Sequence, residues 1–206
     1  MDIYHKLDCK NLAPTWESLA KDFALEKNVV VAKVDAEAEN SKATAKDQGI
    51  AGYPTIKFFP KGSTEPEDYQ GARSEEAFVD FLNSKTGTNR LVGGGLNTEA
   101  GTIPSLDELI SKYITTKSFD DLKSEIKQAA ENLKDKYAQY YVKVADKISQ
   151  SENYASKELS RLQKILGKGG SAPEKLDDLV SRANILRRFV FAGEDKEQAD
   201  ESKDEL

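Results

Sequence analysis

The 206-residue chain has one cysteine, one histidine, one methionine and one tryptophan. A lone thiol excludes an internal disulfide framework and a cysteine-rich zinc site, and a lone histidine excludes a histidine-based metal cluster. No metal and no cofactor are expected. Long apolar runs are missing too: no stretch approaches the ~18 to 20 residues that span a bilayer, so no membrane insertion is expected. The body also lacks a block of one charge sign. Residues 193–206 hold seven acidic and two basic residues, which leaves the rest nearly neutral within a net charge of −6. There is therefore no basic field for a phosphate backbone, and nucleic acid is not an expected partner.

The two ends carry different messages. MDIYHKLDCK has no basic segment followed by the apolar stretch of a secretory signal. The chain closes with Lys203, Asp204, Glu205 and Leu206, an address that a receptor reads inside the endoplasmic reticulum lumen. The two are reconciled if the natural N-terminus lies upstream of Met1.

Leu12, Trp16, Leu19, Ala20 and Phe23 recur at helical spacing over residues 10–26, with Cys9 where that helix opens and Pro14 inside it. NVVVAKVDA, residues 28–36, is the β-branched run of a strand buried on both faces. A short helix is predicted from Ser41 to Gln48. A strand, a turn at Lys61-Gly62-Ser63 and a return strand near Tyr69 follow. The next helix is capped by Ser74 and closed by Gly87, with Ala77, Phe78, Phe81 and Leu82 inward.

Residues 89–104 are glycine-rich and aperiodic, which predicts a linker. No Gly-Lys-Ser/Thr follows the three glycines, so they are not a phosphate cradle. From Ser105 the pattern is purely helical. SLDE is a capping box of Ser105 and Glu108, ahead of a stripe of Leu106, Leu109, Ile110, Tyr113 and Ile114. A second stripe, from Phe119 through Leu122, Ile126, Ala130, Leu133, Tyr137, Tyr140 and Val144 to Ile148, predicts one long helix. Leu159, Leu162 and Leu166 mark a third helix, and Leu176, Leu179, Val180, Ala183, Leu186 and Phe189 a fourth. The acidic tail beyond is expected to be unstructured. Tyr137, Tyr140 and Tyr141 fit either a core edge or a surface that grips apolar peptide.

CKNLAPTWESLA, VVVAKVDA, GYPTIKFFPKGS and YQGARSEEAFVDFLN resemble successive segments of the thioredoxin-like catalytic domains of protein disulfide isomerases. The part after GGGLNTEAGTIPSLDELI resembles the C-terminal helical domain of the ERp29 type, found in a fungal, plant and slime-mould branch of that family. The resemblance implies an α/β thioredoxin-like domain over residues 1–88, incomplete at its N-terminus and lacking its first and central strands. It also implies a linker at 89–104, an all-α bundle at 105–192 and a tail carrying the retention signal.

In that family a Cys-Gly-His-Cys motif at a helix N-terminus exchanges disulfides: amides and the helix dipole stabilise the first thiolate, and the second thiol resolves the mixed disulfide. The aligned residues here are KLDCKNLAP, so Cys9 matches the resolving cysteine and Lys6 stands at the nucleophile's place. The resemblance further implies a cis-proline at Pro54, a substrate-pairing backbone at Tyr53 and Pro54, a lysine beneath the active site at Lys33 and, at Arg73, a loop arginine that helps ionise the resolving thiol. It implies unfolded or disulfide-containing client polypeptides and the KDEL receptor as partners. With one thiol, complete dithiol exchange is not expected of this chain, and the alternative is a non-enzymatic chaperone or client-binding module, or a truncated fragment. Without a central strand, residues 1–88 are expected to be poorly stable.

Overall fold

The structure is a computed structural model that describes residues 3–113 and 119–204, apart from the side chains of 3–7, 119 and 191–204. The chain divides into two compact units, Met1–Asn97 and Thr98–Leu206.

In the first unit, helix α1 (Ile3–Asp22) begins well before Cys9 and runs through Pro14. The sequence placed Cys9 at the helix start; it lies instead in the second turn. Nothing in Ile3 to Asp8 stops a helix, so the chain winds upstream of the thiol. Helix α2 (Lys42–Asp47) sits between Ser41 and Gln48, as its spacing predicts. Strands β1 (Lys57–Phe58) and β2 (Glu67–Asp68) form an antiparallel pair with Lys57 opposite Asp68 and Phe58 opposite Glu67. Helix α3 (Glu75–Thr86) is capped by Ser74, whose hydroxyl accepts from the Ala77 amide. It closes at Gly87 with φ 68°, the left-handed turn that glycine adopts without strain.

The strand expected at 28–36 does not form. Val29 and Val31 pack on the core while Val30 is 86% exposed, so the two-residue alternation of a strand is present without a ladder partner. The apolar run encodes burial, but a strand needs a neighbouring backbone, and β1 and β2 make a sheet of two. Leu19, Phe23, Phe78 and Val79 form the core, extended by Trp16, Ile56, Tyr69 and Leu82. Trp16 meets Phe78 edge-on at 5.5 Å, and Tyr69 reaches both Phe78 and Phe81.

The glycine-rich stretch is folded rather than loose. Arg90 is buried at 3% exposure, donating from Nε to Glu26 (2.7 Å) and from Nη1 to the Gly94 carbonyl (2.9 Å). Asn83 holds the same residue's backbone at both ends, accepting from its amide and donating to its carbonyl. Composition advertised flexibility, but one buried guanidinium with matched acceptors orders the loop.

The second unit is all helical: α4 (Pro104–Tyr113), α5 (Phe119–Ala130), α6 (Ala138–Gln150), α7 (Tyr154–Lys168) and α8 (Pro173–Asp204). Its core holds Leu106, Ile110, Ile126, Tyr141, Val144, Leu162, Ile185 and Leu186. The expected SLDE cap does not open α4. The helix starts at Pro104, whose fixed φ and missing donor suit a first turn, so Ser105 lies inside it. Ile114 of the predicted stripe lies outside the described residues.

The predicted long helix is two. Asp135 interrupts it by accepting the Tyr137 amide on its side chain (2.7 Å), a local bond that starts α6 afresh. The chain reverses there, α6 packs back on α5, and Lys123 pairs with Asp146 across the hairpin. The tail expected to be unstructured continues α8 to Asp204, because residues after Gly193 are mostly helix formers with no proline or glycine to stop them.

Tyrosines 137, 140 and 141 belong to the core, not to a peptide-gripping surface. Tyr141 is fully buried; its hydroxyl accepts from the Ile103 amide (3.0 Å) and donates to Asp107 (2.5 Å). Arg188 closes this network through an ion pair with Asp107 and a 2.7 Å bond to Glu99. Gly101, at φ 78°, lies so close to α8 that an added Cβ would sit 2.5 Å from the Ser181 Cβ.

Candidate functional site

The site grows from α1. Cys9, Leu12, Ala13 and Trp16 recur at three- and four-residue steps and line one cleft of about 410 Å3. Trp16 fixes the opposite wall by donating its indole N–H to the Ala32 carbonyl (3.1 Å), which holds the unladdered 29–35 segment against the helix. Ala32, Lys33 and Val34 of that segment, Ala45 and Gln48 of the α2 region, and Tyr53 through Lys57 complete the lining.

Of the predicted site residues, Cys9, Lys33, Tyr53 and Pro54 come together in this cleft. Cys9 is a free, exposed thiol. The Tyr53–Pro54 peptide bond is cis. Lys33 is not beneath a buried site: its side chain is 76% exposed and pairs with Glu17 at 3.6 Å. Arg73 does not line the Cys9 cleft. It borders a neighbouring hollow of about 340 Å3 and donates to the Pro54 carbonyl at 3.3 Å. The side chains of Lys6 and of Lys203 and Asp204, and all of Glu205 and Leu206, lie outside the described residues.

Cys9 lies within the helix rather than at its end, so the free first-turn amides that activate a thiol lie upstream of it. Glu17 and Gln48 were not anticipated. A Glu eight residues after the cysteine on the same helix was the available signal for Glu17; Gln48, whose buried carbonyl oxygen has no hydrogen-bond partner, carried none. Among the described residues no three His, Cys, Asp or Glu side chains gather as a metal group, and no helix is long and apolar enough to cross a membrane.

Residues 7–84 match the thioredoxin family, and residues 101–189 match the C-terminal domain of the endoplasmic reticulum protein ERp29. The chain is similar to protein disulfide-isomerase tigA of Aspergillus niger, with 71% identity over 193 residues covering 94% of this chain and 52% of that protein. It is 53% identical to protein disulfide-isomerase erp38 of Neurospora crassa over 202 residues, covering 96% of this chain and 53% of that protein. A probable protein disulfide-isomerase A6 of Medicago sativa shares 38% over 189 residues, covering 88% of this chain and 51% of its own length. The chain thus spans about half the length of the curated relatives it matches. With both family matches adjoining and these relatives aligned across each of them, the chain belongs to the protein disulfide isomerase family, joining a thioredoxin-type unit to an ERp29-type helical one.

Proposed function

We propose that this chain serves thiol–disulfide exchange on client polypeptides during oxidative folding in the endoplasmic reticulum, with Cys9 as its resolving-type thiol. The observation that carries the reading is the placement of the exposed Cys9 in one cleft with Tyr53 and Pro54, where an extended client backbone can lie. The Cys9 thiolate attacks a client disulfide, forming a Cys9–client bond and releasing the other client sulfur as thiolate. Lys33 is a cation of that cleft, beside Lys57, and Arg73 acts through the Pro54 carbonyl. The sequence holds no second thiol to displace the client, so the adduct waits for an external one. The C-terminal Lys203 to Leu206 supports retention in the lumen through the KDEL receptor.

The test is incubation of the 206-residue chain with a peptide disulfide, followed by intact mass and by an insulin reduction assay. A stable Cys9 adduct without multiple turnover is expected. Catalytic turnover, or no adduct at all, overturns the reading. A second reading, client binding without redox chemistry, is favoured by the exposed Val30, Val34 and Phe59. It predicts that Cys9→Ser suppresses client aggregation as well as the parent chain does.

A further inference from the structure

Helix α7 carries charge of one sign along its outer side. Lys157, Arg161, Lys164 and Lys168 follow one another at three- and four-residue steps, all exposed, on the side away from the buried Ala155 and Leu162. At 100° per residue they fall within about 60° of the helix circumference. The single acid of this helix, Glu158, is taken by Arg161, which donates to both its carboxylate oxygens at 2.7 and 2.6 Å. Among the described residues, Lys157, Lys164 and Lys168 have no ion-pair partner. Like charges at such steps repel along a helix, so the stripe is unfavourable until something acidic faces it.

The acidic counterpart lies on the same chain. Leu179, Ala183, Leu186 and Val190 of α8 pack into the bundle. Glu194, Glu197, Glu201 and Asp204 continue their three- and four-residue rhythm along the same helix, so the register that is apolar within the bundle turns acidic beyond it. The α7 of the same chain is out of reach of these positions. Helices α7 and α8 pack together and are joined by residues 169–172 alone, so they run antiparallel. At 1.5 Å per residue α7 is about 22 Å long and α8 about 48 Å, which carries the acidic steps past the Tyr154 end of α7.

We propose that two copies of this chain pair about a two-fold axis perpendicular to α8, the acidic end of each α8 running beside the α7 stripe of the other copy. The flip that makes the two α8 helices antiparallel also sets each acidic end parallel to the partner's stripe. The steps then coincide: residues 194, 197, 201 and 204 of one copy meet 157, 161, 164 and 168 of the other with axial offsets of at most about 1.5 Å. Each copy supplies one stripe and one acidic end, so both contacts form at once. A single exposed ion pair contributes little; the repeated register holds this dimer, and salt weakens it.

The test is sedimentation equilibrium of the full chain over a range of concentrations. Reversible dimerisation is expected at 0.1 M salt, and at least tenfold weaker dimerisation at 1 M, where the screening length falls from about 10 Å to about 3 Å. One variant reverses the stripe, with Lys157→Glu and Lys164→Glu; a second reverses the acidic end, with Glu197→Lys and Glu201→Lys. Lys157 and Lys164 are exposed and unpaired, so the fold is expected to survive, which far-ultraviolet circular dichroism checks. Each variant alone faces like charge with like and should dimerise at least tenfold more weakly than the parent. Their equimolar mixture restores opposite charges at both contacts and should associate again, which a damaged fold or a contact within one chain would not do. A parent chain that stays monomeric overturns the proposal, whether its own acidic end or an added oligoglutamate peptide then covers α7. So does a dimer indifferent to salt, or a mixture no stronger than its components.

Discussion

Two adjacent tyrosines test how polar satisfaction stabilises the helical unit. Tyr141→Phe removes a hydroxyl that is the acceptor for the buried Ile103 amide and the donor to Asp107. Stranding a buried donor costs about 1 to 3 kcal/mol, and losing a hydrogen bond to a charged group about 1.5 to 3. The more apolar phenylalanine recovers part of this, so a net loss of about 2 to 3 kcal/mol is expected. For a unit of this size that corresponds to roughly 10 to 20 °C in Tm. Tyr140 is the internal control: its hydroxyl is buried with no hydrogen-bond partner, and burial raises its pKa far above the usual phenol value. Tyr140→Phe should therefore be neutral or stabilising. Urea unfolding of the full chain followed by far-ultraviolet circular dichroism reads the helical unit, while Trp16 emission reads the other. Equal losses in the two variants, or a Tyr141→Phe loss under about 0.5 kcal/mol, the range of ordinary surface substitutions, would refute the reasoning.

Gly101→Ala places a Cβ against Ser181 at a positive φ, and a loss of about 2 to 4 kcal/mol by urea titration is expected from overpacking and left-handed strain together. Adding Ser181→Gly should recover only the packing share. Arg90→Leu strands Glu26 and the Gly94 carbonyl and should lower the Trp16 emission midpoint by an amount equivalent to about 2 to 4 kcal/mol. Desolvation outweighs the help of Tyr141 and Arg188 and raises the Asp107 pKa. A raised folded value means that Asp107 contributes stability below its unfolded pKa, about 3.9, and loses it as pH rises through the folded value. The stability of the parent chain relative to Asp107→Asn should therefore be greater near pH 4 than at pH 7, and a difference unchanged by pH would sink the assignment.

Elements whose signals are local were legible in the sequence. Ser74 and Gly87 delimit α3 because caps act within one turn. The second unit's inward stripes were readable for the same reason, since the 3.6-residue period is a property of one segment. What failed depended on distant partners. The 28–36 run has a strand's composition, but a ladder requires another backbone, and composition cannot supply one. Arg90 looked like part of a loose glycine stretch because Glu26, 64 residues away, is what orders it. At the site, the grouping of Cys9 with Tyr53 and Pro54 was anticipated through family resemblance, whereas the withdrawal of Arg73 to the Pro54 carbonyl follows from backbone geometry that no spacing records.

The interruption at Asp135 also sets an order of events. A single helix from 119 to 150 would have to find its partners elsewhere in the chain, whereas the hairpin lets α5 and α6 meet across a seven-residue gap. Contacts between α4 and α5, α6 and α7, and α7 and α8 are likewise between sequence neighbours, and closing short loops costs little chain entropy. α4 and α8 pair across the whole unit, and the bonds from Asn184 to Ala100 and Arg188 to Glu99 span more than 80 residues. Pairing between sequence neighbours favours fast folding, so the hairpin at Asp135 is expected to condense early and the clasp of the segment at 99–107 onto α8 last.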